Sequence, residues 1–230
     1  MNIVISPRKT LATLLIIIGL LVCASSVGVA WFIASAPVQQ IPVWINVFNL
    51  NLEGNVPTLF SSLQLMVAAL LLSGIAHCHR QRAQACVLWY FLAAIFIFLA
   101  IDEAASLHEN LTVSVRTTLE TSGYFYYAWV IPYGLAVLLL AALFTKFLLG
   151  LPRTSMALFM VSGAIYLTGT LGFEMLGGNY TSQPGAGEIT YSVIYTVEET
   201  LEMVGIAIFI FALMKYIANT FTQLNYSVQD

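Results

Sequence analysis

The sequence predicts an all-α, polytopic membrane helix bundle of about six transmembrane helices, with both termini in the cytoplasm. Of the 230 residues, 60% are hydrophobic and only 8% are charged. The mean hydropathy of +0.88 lies far outside the range of soluble globular domains. The apolar residues form long separate runs, and the basic residues cluster at one set of their ends. We therefore expect a single transmembrane domain in contact with the lipid bilayer.

Six apolar runs are long enough to cross the hydrocarbon core, which takes about 20 residues per helix. The first run follows Arg8 and Lys9 and is roughly twice as long as a signal-peptide core, so we expect an uncleaved span. Residues 104–123 are predicted to be an extracytoplasmic amphipathic segment, and residues 218–230 a polar cytoplasmic tail. The predicted spans are approximately 11–34, 58–76, 85–103, 124–149, 155–174 and 191–217.

The basic residues predict the orientation, because Lys and Arg are retained on the cytoplasmic side. With the N-terminus inside, seven of the eight Lys and Arg residues are cytoplasmic and only Arg116 is outside. Ten of the eleven acids then fall toward the outer face, which leaves Asp230 inside. A negative rim attracts cations and repels anionic partners, so we expect no binding of nucleic acid.

The sixth run carries acids at membrane depth. Its purely apolar part, Met203 to Met214, covers about 18 Å at 1.5 Å per residue, which is shorter than the roughly 30 Å hydrocarbon core. Glu198, Glu199 and Glu202 are therefore expected at the membrane edge or within it, where carboxylates turn toward a partner in the bundle. Glu198 and Glu202 lie one turn apart and repel each other unless a proton, a cation or a basic group intervenes.

Two further runs bring carboxylates to a similar depth. The third run ends at Asp102 and Glu103, and the fifth ends at Glu174. On an unbroken helix His108 points about 140° away from Glu103, so the two can bind one ion only if the chain bends near residues 104–106. The meeting of three helices predicts a metal site, for which the candidate ligands are Asp102, Glu103, His108, Glu174, Glu198, Glu199 and Glu202.

The candidate ligands are rich in oxygen and poor in nitrogen, which favours the divalent cations Ca²⁺, Mg²⁺ and Mn²⁺. Zinc is less expected because a structural zinc site takes Cys or more His. Carboxylate-bridged iron is also less expected, since its two Glu-x-x-His elements are missing. Glu53 is interpreted as a loop carboxylate or a helix-start feature, although a loop folded over the bundle could add Glu53 or Asn55 as a ligand.

Two other patterns receive structural interpretations. His77-Cys78-His79 belongs to a short basic segment and is interpreted as a cytoplasmic turn, because the side chains of adjacent residues rarely converge on one ion. The aromatic run YFYYAW, residues 124–129, is interpreted as an interfacial belt of the kind that flanks membrane spans. Neither pattern is expected to form part of the metal site.

Three segments of the sequence carry a resemblance to known proteins: EGNVPTLFSS (53–62), IDEAASLHEN (101–110) and VEETLEMVG (197–205). Together they resemble a group of bacterial multi-pass inner-membrane proteins of unknown activity, which implies a location in the bacterial inner membrane. A weaker likeness relates Glu53, Asn55 and Ser61 to metal-dependent membrane hydrolases that include the alkaline ceramidases, but the later His-x-x-x-His pair of those enzymes is absent from this sequence.

The first functional hypothesis is an integral membrane protein with a divalent-cation site near the outer face. If the site is catalytic, the expected reaction is hydrolysis by metal-activated water on the extracytoplasmic side, with a carboxylate or His108 as base. A second hypothesis is a non-catalytic accessory subunit of a larger membrane complex, whose acids pair with basic residues of a membrane-protein partner. The chain could also form an oligomer. A third is a proton- or cation-coupled transporter, for which Pro132, Gly163, Gly169 and Gly172 give modest evidence of helix breaks.

Overall fold

The computed structural model describes residues 6–35 and 42–221 of the chain, and within these ranges all regular structure is helical. Six helical segments are long and apolar enough to cross a membrane. This confirms the predicted all-α bundle and shows a multi-pass membrane protein whose helices contact lipid. The spanning segments are α1 (Pro7–Ala34), α3 (Val56–Gln81), α4 (Val87–Ala105), α6 (Val130–Leu149), the continuous segment Arg153–Thr181, and α9 (Glu188–Thr220).

Short helices connect or interrupt these spans. Helix α2 (Val43–Phe48) lies between α1 and α3, and α5 (Leu107–Leu119) lies between α4 and α6. The fifth span consists of α7 (Arg153–Leu167), a π-helical segment (Thr168–Phe173) and α8 (Glu174–Thr181). The fifth span therefore changes its helical geometry just before Glu174.

The helices extend beyond several of the apolar runs. Helix α3 continues to Gln81, so His77 and His79 lie on a helix rather than in a turn. Helix α9 continues to Thr220, and the rest of the predicted polar tail, 222–230, lies outside the described residues together with 36–41 of the first loop. These extensions arise because helical backbone bonding continues past the hydrophobic core of each span.

Helix α9 is the centre of the bundle and packs against α1, α3 and α7. Two glycines allow a close approach between α9 and the fifth span. A Cβ atom at Gly205 would lie 2.8 Å from the backbone nitrogen of Tyr166, and one at Gly169 would lie 2.8 Å from the carbonyl oxygen of Glu198. Since real Cβ contacts are not this short, a larger residue at either position would push the two backbones apart.

The two ends of the bundle differ in charge. We call the end that carries Asp102, Glu174 and Glu198 the acidic end, and the end that carries Arg82 and Lys146 the basic end. The main apolar core lies toward the basic end, where rings from α4, α7 and α9 pack together. The predicted orientation places the acidic end outside the cytoplasm, and this remains a prediction.

Helix α6 packs less closely than the other spans, and its backbone makes no extensive contact with another helix in the described ranges. Three pairs of aromatic rings connect α6 to α4 instead. Their centroid separations are 6.4 Å for Phe98–Tyr133, 5.9 Å for Phe91–Phe144 and 4.8 Å for Trp89–Phe147. These rings hold α6 away from the centre of the bundle and leave space between α4, α6, α7 and α9.

Candidate cation site at the acidic end

A break in the backbone shapes the acidic end. Helix α4 ends at Ala105, and Ser106 adopts the left-handed conformation with φ 51° before α5 begins at Leu107. A non-glycine residue in this region is uncommon and is held there by its surroundings. The break lies where a bend was required for Glu103 and His108 to bind one ion, near residues 104–106.

His108 folds back on Asp102 rather than on Glu103. The backbone N–H of His108 donates to Asp102 Oδ1 at 3.0 Å, and the His108 ring nitrogen Nδ1 lies 3.2 Å from Asp102 Oδ2. The hydroxyl of Tyr133 also donates to Asp102 Oδ1, at 2.9 Å. Because the carboxylate accepts the Nδ1 proton, the other ring nitrogen, Nε2, remains available to a ligand.

The loop that carries Glu53 is fixed against the bundle. Asn55 caps α3 by accepting from the backbone N–H of Thr58 at 3.2 Å, and its side-chain amide donates to the carbonyl of Asn49 at 2.6 Å. The backbone N–H of Leu50 donates to the Ser25 hydroxyl of α1 at 3.1 Å. Asn55 therefore has a structural role, and the loop it holds places Glu53 over the acidic end.

Glu53, His108 and Glu109 converge. Each offers one ligand atom, and the three atoms lie within 4.8 Å of one another. His108 Nε2 lies 4.0 Å from Glu53 Oε1, while the second oxygen of Glu53 is buried without a hydrogen-bond partner. In the described part of the chain this is the one group of three or more His, Cys, Asp or Glu side chains with such convergence.

The two inner members of this group titrate differently from free side chains. Burial raises the pKa of Glu53 to about 6, although the nearby His108 charge opposes the shift. Burial by itself lowers the pKa of His108, but the hydrogen bond and charge of Asp102, together with the charge of Glu53, raise it to about 9. Without another cation, a protonated His108 therefore supplies the positive charge nearest to Asp102 and Glu53.

A cavity of about 880 Å³ connects this group with the deeper acids. It is lined by α4, α6, α9 and the fifth span, and all seven residues predicted as ligands from the sequence line it, together with Glu53 and Glu109. Glu202 is the deepest of these acids; it lies about 27 Å along α9 from Thr220 at 1.5 Å per residue. The predicted meeting of carboxylates from three spans is therefore present as the wall of one cavity.

The deeper acids are held differently from the Glu53 group. Trp129 donates from Nε1 to Glu174 Oε1 at 2.7 Å, and Glu198 lines the same cavity as Glu174. Glu103, Glu199 and Glu202 line the same cavity, but no three of the deeper acids bring ligand atoms together as closely as Glu53, His108 and Glu109 do. The deep acids thus surround the space without forming a compact ligand set.

Lys and Arg side chains of the described residues form no ion pairs with these acids. Across the described ranges, the ion pairs of the acids involve only His108. Arg116, the basic residue expected on this side, places its guanidinium 4.4 Å from the centre of the Tyr126 ring and donates to the Tyr126 carbonyl at 3.5 Å. The acids consequently require protons or an added cation for charge balance.

A small cavity of about 10 Å³ lies behind Glu103 and Glu202. Ser61 and Gln64 of α3 line it, and the Ser61 hydroxyl and the side-chain amide oxygen Oε1 of Gln64 are both buried without a partner. The volume is close to the minimum for one water molecule. Protonated carboxyl groups or a single water can therefore satisfy these two polar groups.

The aromatic run 124–129 has two roles. Tyr124 and Phe125 are exposed, as expected for an interfacial belt, whereas Trp129 is only 4% exposed and contacts Glu174. The hydroxyl of Tyr127 lies 2.9 Å from that of Tyr191 at the cavity wall. Part of the run therefore belongs to the site, which the composition of the run alone did not indicate.

Sequence reasoning also missed Glu109 and Tyr133 as members of the site. Glu109 directly follows His108, and this pairing of an acid with the histidine was the available signal. Tyr133 gave no signal, because its contact with Asp102 depends on how α6 lies beside α4.

A family model matches most of the chain. The family model described as a domain of unknown function (DUF8692) matches residues 13–216, which cover all six spans. No curated protein matches the chain, and no solved structure matches it. The geometry of the cavity is therefore the basis for inferring function.

Proposed function

The chain belongs to the DUF8692 family, and we propose that this membrane protein binds a divalent cation at the acidic end of its cavity. The observation that carries the proposal is the convergence of Glu53, His108 and Glu109 within 4.8 Å, at the mouth of a cavity lined by further acids. Glu53 contributes a buried oxygen without a partner, which a cation would satisfy.

The proposed ligands are one oxygen each from Glu53 and Glu109 and the His108 nitrogen Nε2, which releases its proton when the ion binds. Asp102 acts on the cation indirectly, because its oxygens accept hydrogen bonds from His108 and Tyr133 and so fix the direction of the imidazole ring. Such a carboxylate partner is the usual support for a metal-binding histidine. Two carboxylates and one imidazole suit Mn²⁺ best among the Ca²⁺, Mg²⁺ and Mn²⁺ ions favoured by the sequence analysis.

Charge balance supports a cation in this place. Eight carboxylates line the cavity, and His108 is the one basic side chain among the lining residues of the described chain. Carboxylates at membrane depth are costly unless they are protonated or paired. A divalent ion at the mouth would lower this repulsion more effectively than the single charge of His108.

The cellular location and the orientation of the protein are part of the same proposal. Placing the acidic end outside the cytoplasm agrees with the positions of the basic residues along the chain. We assign the protein to the bacterial inner membrane, with the cation entering from the extracytoplasmic side. The acid-rich mouth attracts cations from that side.

The cavity gives less support to a transport function. Its carboxylates end at Glu202, and below this level the lining is mostly apolar, with Phe144, Phe159 and Phe209 near the basic end. The Ser162 hydroxyl in this part of the lining already donates to the Phe159 carbonyl. A path for protons or cations across the membrane needs polar groups along its whole length. A site that binds its cation from one side agrees better with this lining.

Titration of the purified, chelator-treated protein with Mn²⁺ tests the proposal, with free Mn²⁺ measured by its electron paramagnetic resonance signal. We expect one saturable site per chain, and we expect the Glu53→Gln/Glu109→Gln double variant to bind at least about tenfold more weakly, since both proposed carboxylate ligands lose their charge.

Glu188→Gln is the matched control, because Glu188 is exposed at the start of α9 and does not line the cavity. Equal Mn²⁺ binding by wild type, double variant and control, or no saturable site in the wild type, would contradict the proposal.

A further inference from the structure

The cavity is divided into a polar part and an apolar part. At the acidic end it is lined by carboxylates, tyrosines and His108, and toward the basic end it is lined mainly by Leu, Ile, Val, Ala and Phe side chains. A small hydrated ion needs only the polar part. The apolar part therefore calls for a ligand that has a hydrophobic portion of its own.

The length of the apolar part matches one lipid chain. On α6 it extends from Ala136 to Leu148, which is about 18 Å at 1.5 Å per residue. One leaflet of a bilayer is roughly 15 Å thick, half of the hydrocarbon core. The direction also matches, because a polar group at the acidic end and a chain running toward the basic end follow the arrangement of a lipid in one leaflet.

The packing of α6 gives such a ligand access. Helix α6 makes little backbone contact with its neighbours and is connected to α4 by ring pairs. Ala136 and Ala141 are exposed residues of α6 that line the cavity. A chain can enter the space beside these small side chains from the surrounding bilayer.

The charge of the polar part selects the headgroup. Eight carboxylates face the cavity, whereas no Lys or Arg does so among the residues described. After one divalent cation is bound, the carboxylates still outnumber the positive charges. An anionic headgroup is therefore repelled, and a protonated amine is attracted.

We propose that the cavity binds a long-chain amphiphile with a positively charged amine headgroup, its single chain occupying the apolar part between α6 and the other three spans. This inference rests on the proposed function, because the deep acids receive the amine in the same cavity whose mouth holds the metal ion. The inference adds the chemical class of the ligand that the cavity binds.

Native mass spectrometry of the full chain, released from neutral detergent micelles, tests the inference with hexadecylamine and hexadecanoic acid as probes. We expect one retained hexadecylamine per chain and roughly tenfold weaker retention of the acid. Equal retention of the two probes would overturn the charge argument.

Two neighbouring alanines provide a matched pair of variants. Ala141→Phe narrows the apolar part, whereas Ala142→Phe adds the same side chain at an exposed residue of α6 that does not line the cavity. We expect the first variant to lose hexadecylamine by about tenfold and the second to retain it. Equal retention by the two variants would overturn the inference, and Ala136→Phe replaces the first variant if that protein does not fold.

Mn²⁺ binding separates this inference from the proposed function. We expect Ala141→Phe to bind Mn²⁺ like the wild type, since Ala141 lies about 12 Å along α6 from Tyr133, the residue of α6 that contacts Asp102 at the acidic end. Normal Mn²⁺ binding without amine selectivity would reject the lipid inference alone. Loss of saturable Mn²⁺ binding in the wild type would reject the proposed function first.

Discussion

The two ends of the bundle each contain a buried tryptophan beside a histidine, and the two pairs have different surroundings. At the basic end, His79 stacks on Trp89 with ring centroids 5.7 Å apart. At the acidic end, His108 lies 4.7 Å from Trp129 by the same measure. Both tryptophans are almost fully buried, at 3% and 4% exposure.

The hydrogen-bond partners of the histidines distinguish the two ends. His79 Nδ1 lies 2.7 Å from the side-chain amide oxygen Oε1 of Gln84, and Nε2 lies 2.9 Å from the Tyr216 hydroxyl, so both ring nitrogens have neutral partners. The Nδ1 atom of His108 is hydrogen-bonded to Asp102, whereas its Nε2 atom faces Glu53 and the cavity. A histidine whose ring nitrogens are both satisfied stabilises a core, whereas one with a free nitrogen among acids can bind a ligand.

Substitution of the two tryptophans is expected to give the largest loss in the free energy of unfolding, and a larger loss at the basic end than at the acidic end. Trp89→Ala removes a ring packed against Phe147, Phe159 and Tyr216, and we expect a loss of about 3 kcal/mol in the free energy of unfolding. Trp129→Ala enlarges an existing cavity and breaks one hydrogen bond, for which we expect about 1–2 kcal/mol. Reversible unfolding in mixed micelles measures both, and equal losses would show that the acidic end is packed as tightly as the basic end.

Substitution of the two histidines is expected to affect different properties: stability for His79 and Mn²⁺ affinity for His108. His79→Ala leaves Gln84 and Tyr216 without their buried partner, and we expect it to lower the free energy of unfolding by about 2 kcal/mol while Mn²⁺ affinity is unchanged. His108→Ala removes a proposed ligand and is expected to lower Mn²⁺ affinity by at least about tenfold. If His79→Ala weakened Mn²⁺ binding as strongly, the assignment of the two ends would be wrong.

The smallest effect tests the supporting role of Asp102. Asp102→Asn keeps the size of the side chain but removes its charge and one acceptor for His108 and Tyr133. We expect about a tenfold loss of Mn²⁺ affinity, or about 1.4 kcal/mol, because partners behind a metal ligand orient it. The measurement is the Mn²⁺ titration, with Glu188→Gln as control. An unchanged affinity would show that Asp102 does not position His108.

The helices and the depth of the acids could be predicted from the sequence. Long apolar runs predict spans because the bilayer core has a fixed thickness. The short apolar part after Glu202 predicts carboxylates at membrane depth. The structure brings these acids to one cavity together with Asp102 and Glu174, so the convergence was visible in the topology of the chain.

The arrangement of the site could not be predicted in the same way. The pairing of His108 with Asp102 depends on the left-handed conformation of Ser106, a residue type that does not signal such a break. The position of Glu53 depends on the hydrogen bond between Leu50 and Ser25, which lie 25 residues apart. Contacts between distant segments have no signature in local periodicity.

The cavity itself had no sequence signal. Its apolar part exists because α6 is held away from the bundle by rings such as Phe91 and Phe144. In the sequence these rings are ordinary members of apolar runs. The distance at which these rings hold α6 from α4 depends on tertiary packing, which hydropathy does not describe.

An anomalous-difference map from crystals grown with Mn²⁺ tests the central claim most directly. The account predicts one peak between His108 Nε2 and the carboxylates of Glu53 and Glu109, with each ligand about 2.0–2.4 Å from the ion. In crystals of the Glu53→Gln/Glu109→Gln variant this peak is expected to be lost. A map with no peak in the cavity of the wild type, or with its peak at the basic end beside His79, would contradict the account.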